Sequence, residues 1–148
     1  MENDHITRHI EIDAKPSDVW RAVSDASAFG KWFRVALDGP FEVGKTTTGA
    51  MTYPGHEGVR WISVTEVLEP ESRFVFRWPH LLADEEIGPD TIWLTVSITL
   101  EPAGTGTRLT VTETGFAALP EDQRVSMLRD NEQGWDIQTL NVKNYVEG

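Results

Sequence analysis

The chain has 148 residues, 39% of them hydrophobic and 25% charged, with a formal net charge of −11 and no cysteine. That length suits one domain, expected over 1–148, with a core large enough to need no disulfide or metal staple. The charge repels phosphate backbones and anionic headgroups, which argues against nucleic acid and membrane partners, and the missing cysteines exclude disulfide scaffolds, thiolate metal sites and cysteine nucleophiles.

The start of the chain, Met1-Glu2-Asn3-Asp4-His5, is polar and acidic with no apolar stretch behind it. It does not read as a signal or transit peptide, no apolar run approaches the length of a bilayer span, and the expected location is cytoplasmic. Thr7 to Ile12 alternates and reads as a strand, with Ile6, Arg8, Ile10 and Ile12 on one face. Pro16-Ser17-Asp18 opens a helix, because proline suits the first turn and a carboxylate suits the positive end of the dipole. Val19, Trp20 and Val23 form its apolar stripe. A second short helix is expected from Ala28 to Phe33.

The pattern then changes to strands. Lys45 to Tyr53 is rich in threonine and stops at the turn pair Pro54-Gly55. Val59 to Leu68 is a long strand candidate, and Arg73 to Trp78 follows with Phe74, Phe76 and Trp78 on one face. Pro79 to Pro89 reads as a loop, with a solvated acidic run at Asp84-Glu85-Glu86. Thr91 to Leu100 alternates without a break: Ile92, Leu94, Val96, Ile98 and Leu100 face one way, and Trp93 faces the other with threonine and serine. That is a sheet with one buried and one wet side. Trp93 is therefore expected on the outer face, either as part of a dimer contact or as a lone ring covered by its neighbours. Glu101 to Gly106 makes the hairpin connection, and Arg108 to Thr114 returns with Leu109, Val111 and Glu113 alternating inward. From Pro120 to Glu147 the chain reads as one long helix, with Val125, Leu128, Trp135, Val142 and Tyr145 near one face. Such an order predicts an antiparallel meander burying the apolar face of a C-terminal helix.

Three blocks in this order carry a resemblance. They are Ile10 to Phe33, with Ala14-Lys15-Pro16-Ser17-Asp18-Val19-Trp20 and Trp32-Phe33; Glu101-Pro102 through Gly106-Thr107-Arg108-Leu109 to Gly115-Phe116; and Gly134-Trp135 through Val142 to Tyr145-Val146-Glu147. In them the chain resembles the START-like superfamily (also called SRPBCC or Bet v 1-like), in the branch named for activators of the heat shock protein 90 ATPase. The resemblance implies an α+β helix-grip fold: a curved antiparallel sheet of about seven strands around a long C-terminal helix, two short helices after the first strand, and a cavity between sheet and helix. Related families hold lipids, sterols, hormones or polyketides there, and some catalyse cyclisation. Two departures stand out. Thr139 occupies the position four after the tryptophan where the family usually has leucine, which implies a more polar or roomier helix face. The chain also leaves no room for the separate N-terminal domain of the eukaryotic chaperone activator, which points away from a co-chaperone role.

Candidate site residues follow from the cavity. Trp32, Met51, Tyr53, Phe74, Phe76, Trp78 and Trp135 are expected to line it, with Thr139 on the helix, since large rings serve pockets for flat or greasy ligands as readily as cores. Glu113 is expected to place a carboxylate on the inward face. The fold implied by the resemblance makes the first and last strands antiparallel neighbours, so Arg8 and Glu113 are expected to meet. Their pairing reads either as an ion pair at the rim or as a polar anchor for a ligand. Gly134, inside the long helix, is expected to permit a close approach of the sheet or a bend. The four histidines show no metal-ligand spacing and read as solvated, with the loop of His80 bordering the cavity mouth. No nucleophile elbow, phosphate loop or dinucleotide fingerprint is present.

The expected function is binding of an apolar or aromatic small molecule, with no cofactor and no metal, leaning away from an enzyme. A cyclase or aromatase-like reaction is the alternative, in which Glu113 and Tyr53 or His80 would converge on one ligand atom. A chaperone-interaction module and a homodimer remain as further alternatives.

Overall fold

The alternation of Ile92 to Leu100 organises the molecule. In the computed structural model, which describes residues 4–81 and 85–148, this segment lies inside β6 (Ile92–Ala103) and has strands on both sides. Its even-numbered side chains from Leu94 to Leu100 are buried, and the odd-numbered ones between them are half exposed. The other strands are β1 (His5–Ile12), β2 (Val35–Leu37), β3 (Thr46–Met51), β4 (Arg60–Glu69), β5 (Arg73–His80) and β7 (Gly106–Thr114). They form one seven-stranded sheet in the order β1-β7-β6-β5-β4-β3-β2, with every neighbouring pair antiparallel. The helices are α1 (Pro16–Ser24), α2 (Ala26–Phe33) and α3 (Glu121–Glu147). The sheet curves around α3, which is the helix-grip fold.

Local chemistry explains the joints. Pro16 stands at the start of α1, and the Asp25 carboxylate accepts a hydrogen bond from the Ala28 amide at 2.9 Å, capping α2. The β6–β7 hairpin is tighter than expected: both strands run on through Glu101-Pro102 and Gly106-Thr107, leaving Gly104 and Thr105 at the turn. Gly115 ends β7 at φ 107°, and a Cβ there would stand 3.0 Å from the Trp93 carbonyl oxygen, so only glycine fits. A single 3₁₀ turn, Phe116–Ala118, then redirects the chain into α3. The Arg124 guanidinium holds this corner by donating to the carbonyls of Phe116, Ala117 and Leu119.

Several expectations need correction. β5 continues through Pro79 and His80, which pair with Trp93 and Ile92, so His80 belongs to a strand. Of the acidic run, Asp84 lies outside the described residues, and Glu85 and Glu86 are exposed as expected, with Glu86 also pairing with Arg60 at 3.3 Å. Trp93 is on the outer face but half covered, because the Arg77 guanidinium lies 4.1 Å above its ring. The buried face of α3 is narrower than expected: Leu128, Trp135, Gln138, Thr139 and Val142 are buried, whereas Val125 and Tyr145 are exposed. Ile137 and Leu140 are exposed as well. Arg8 faces inward from β1 but meets α3, with its Nε 2.8 Å from Asp136 and its Nη2 3.3 Å from Glu132. The expected Arg8–Glu113 pair is absent because Glu113 lies opposite Ile6, two residues before Arg8. The helix also brings two carboxylates closer to Arg8 than the sheet does.

Candidate functional site

The alternation of β7 sends Glu113 into the interior beside Leu109 and Val111, and its side chain is fully buried. A carboxylate so placed needs donors, and three reach it. The indole N–H of Trp135 donates to Oε1 at 2.9 Å, and that of Trp78 donates to Oε2 at 2.8 Å. The Asn131 amide lies between the oxygens at 3.1 and 3.2 Å. Trp78 comes from β5, while Asn131 and Trp135 stand one turn apart on α3. All three donors are neutral. Burial pushes the Glu113 carboxyl above its ordinary range, and the hydrogen bonds from Trp135, Trp78 and Asn131 pull the other way.

These two tryptophans also form a wall. Their rings stack with centroids 6.0 Å apart, and Phe33 lies against both, 6.5 Å from Trp78 and 6.3 Å from Trp135. Trp61, on the inward face of β4, continues the wall at 5.2 Å from Phe33 and 5.4 Å from Trp78. On one side of it lies a cleft of about 1040 Å³, bounded by Gly58–Ile62, Trp78–Leu81 and the Met127 and Asn131 side of α3. A smaller compartment of about 510 Å³ lies between Met51, Tyr53 and His56 and the α3 residues from Asp130 to Gln138. Phe33, Met51, Trp78 and Asn131 border both spaces, which therefore adjoin.

The structure distributes the predicted site residues unevenly. Met51, Tyr53, Trp78 and Trp135 line these spaces. Glu113 is behind the wall, tied to it by the indole N–H groups. Phe74 and Phe76 share the inward face of Trp78 but are fully buried, with Phe41 4.9 Å from Phe74 and Trp61 5.8 Å from Phe76. Trp32 packs against Phe29 at 4.7 Å and donates its indole N–H to the Ala22 carbonyl, which makes it a brace between α1 and α2. Thr139 is buried, and its hydroxyl donates to the Trp135 carbonyl of its own helix at 2.8 Å, so it borders neither space. Gly134 lines the smaller compartment and a Cβ there would meet nothing within 4 Å, so it serves no close approach of the sheet.

Phe33, Trp61, Met127 and Asn131 were not singled out from sequence. A signal existed for two of them: Trp61 alternates inward with Ser63 and Thr65, and Asn131 precedes Trp135 by one helical turn. His80 borders the larger cleft and its Nε2 is 2.9 Å from the Gln123 amide oxygen. Among the described residues, no group of three or more His, Asp or Glu side chains is placed to hold a metal ion. Nor is any helix among them long and apolar enough to cross a membrane.

The model of the family described as activator of Hsp90 ATPase homolog 1-like protein matches residues 13–147. The chain belongs to this family. No curated protein matches it. Among solved structures of similar shape, a protein from Arthrobacter aurescens is 18% identical with a TM-score of 0.80, over 99% of this chain and 87% of that one. The Aha1 protein from Colwellia psychrerythraea, solved as a dimer, is 17% identical with a TM-score of 0.73, over 97% and 96%. DynU16, a protein from the dynemicin biosynthetic locus, is 25% identical with a TM-score of 0.76, over 97% of this chain and 47% of its own length. The family fold is compatible with holding a ligand between sheet and helix. In this member aromatic and thioether side chains border that gap together with polar ones, among them Arg60, Glu86, Asp130 and Asn131.

Proposed function

We propose that the chain binds a small apolar or aromatic molecule in the adjoining compartments beside α3. The observation that carries this reading is the wall of Phe33, Trp61 and Trp78, with Met51 and Met127, bordering a cleft of about 1040 Å³. Ligand sites are concave spaces of roughly this size, apolar with a few polar groups, and methionine lets such walls adapt to shape. The net charge of −11 disfavours anionic ligands. DynU16 comes from the dynemicin biosynthetic locus, which supports a small-molecule ligand by analogy only.

A cyclase-like reaction finds less support. It calls for a second polar group meeting Glu113 at one ligand atom, and neither Tyr53 nor His80 is among the partners of Glu113. For assembly we propose a homodimer, on the example of the Colwellia relative, to be checked by light scattering.

The test uses N-phenyl-1-naphthylamine, a neutral dye that fluoresces on entering an apolar site. The native protein should enhance its emission. Met51→Trp, which adds a ring where the two spaces adjoin, should abolish the enhancement with little change in melting temperature. Absence of enhancement in the native protein, or equal enhancement in a folded Met51→Trp variant, overturns the reading.

A further inference from the structure

We propose that the smaller compartment is an ammonium site, in which Phe33, Tyr53, Trp78 and Trp135 form an aromatic box for a quaternary or tertiary ammonium group. The apolar body of the same ligand would extend past Met51 into the larger cleft. This rests on the reading that the adjoining spaces bind a small molecule, and it names the chemical class.

Three observations point to a cation. First, Phe33, Tyr53, Trp78 and Trp135 border one space of about 510 Å³, and the ring centroids of Phe33, Trp78 and Trp135 stand within 6.5 Å of one another. Aromatic faces carry negative potential, and cages of tryptophan, tyrosine and phenylalanine are a general solution for alkylated ammonium groups, with tryptophan the strongest member. Second, both tryptophans donate their indole N–H groups to the buried Glu113 carboxylate. A hydrogen bond to an anion pulls the proton away from the ring nitrogen and leaves more electron density on the ring, and hydrogen-bonded groups polarise one another in a low-dielectric interior. A neutral ligand gains nothing from this arrangement. A cation against the ring faces feels both the enriched faces and the carboxylate behind them.

Third, the charged residue lining the compartment is Asp130, and no lysine or arginine lines it among the described residues. The exposed His56 stands beside Tyr53, with ring centroids 5.9 Å apart. Glu113 itself cannot grip the ligand directly. Each of its oxygens already accepts an indole and the shared Asn131 amide, which uses the acceptor directions of a carboxylate. Its influence must pass through the tryptophans and through the field. The hydrogen-bonding side chains of the compartment, such as Asp130 and Gln133, come from the α3 side, whereas an ammonium group without N–H donors can rest on the aromatic faces alone.

The test compares two probes of the same shape, 2-naphthoylcholine and its carbon isostere 3,3-dimethylbutyl 2-naphthoate, titrated by tryptophan fluorescence. The native protein should bind the cationic probe at least tenfold more tightly. In Glu113→Gln the ratio between the probes should shrink severalfold. Should that variant fail to fold, Asp130→Asn, at an exposed position, should shrink it by a smaller factor. If the uncharged isostere binds as well as the cation or better, the ammonium assignment is overturned while the binding function stands. If neither probe binds, both fall. A preference that survives intact in the folded variants places the cation elsewhere and overturns the assignment.

Discussion

The two flanks of α3 differ in how they meet the sheet. On the β1 flank, polar clasps close the seam: Arg8 to Asp136 and Glu132, the Lys143 ammonium to the Glu11 carbonyl at 2.9 Å, and the Glu147 carboxylate to the Asp13 amide at 2.7 Å. On the cleft flank the tie between sheet and helix is lighter, His80 Nε2 to the Gln123 amide oxygen at 2.9 Å, and rings and thioethers border an open space beside it. The closed flank consists of exposed charge contacts that contribute little individually but hold the helix down. The open flank leaves Met51 and Trp78 half-buried and Val59 and Ile137 exposed at its edges, and apolar surface gathered at a cleft marks a place where something else can bind. Between the two flanks stands Glu113, with its donors drawn from both the helix and the cleft wall.

The contrast can be broken most severely at that carboxylate. Glu113→Ala leaves two indole N–H groups and one amide without their acceptor, and after relief of the buried charge the net loss should be about 2–4 kcal/mol in urea denaturation. A milder test is pH. The folded carboxyl titrates above the ordinary value while the unfolded one does not, so in the window between them the folded state holds more protons. Stability should therefore fall as pH rises through that window, with the full penalty above the folded value and none below the unfolded one. Native stability minus that of Glu113→Gln, which cannot titrate, should grow as pH is lowered through that window. A flat difference would place the carboxyl at its ordinary value.

Gly134→Ala sharpens the open flank. Its new methyl meets no neighbour, so the helix should gain up to about 1 kcal/mol while the smaller compartment loses volume and dye affinity drops. The smallest effect belongs to the closed flank. Arg8→Ala should cost well under about 1 kcal/mol, and the difference should shrink in high salt, because the Arg8 pairs are partly exposed.

The sheet was legible in sequence because one face is wet: Ile92 to Leu100 declares its buried side at every second residue. The long helix was legible in extent but not in its buried face, since Val125 and Tyr145 fall near the apolar face by helical period yet stay exposed at its margins. The site was half legible. Phe74, Phe76 and Trp78 share one face of one strand, and period alone cannot tell that Phe41 closes over Phe74 while Trp78 is left at a cleft. Arg8 was given the correct face and the wrong partner, because its carboxylates arrive from a helix 124 and 128 residues further along the chain. Long-range docking of that kind leaves no local pattern.

The spacing of the helix anchors gives Glu113 one more consequence. Leu128, Trp135 and Val142 recur every seven residues, so a helix slid along the groove by two turns would still offer apolar side chains to two of the three seats. Apolar burial alone distinguishes such alignments weakly. The carboxylate distinguishes them strongly, because only one alignment brings both Asn131 and Trp135 to it while Trp78 reaches it from the sheet. A single acidic residue thus acts as a keyed stop, setting where the helix comes to rest and hence where the walls of the cleft stand.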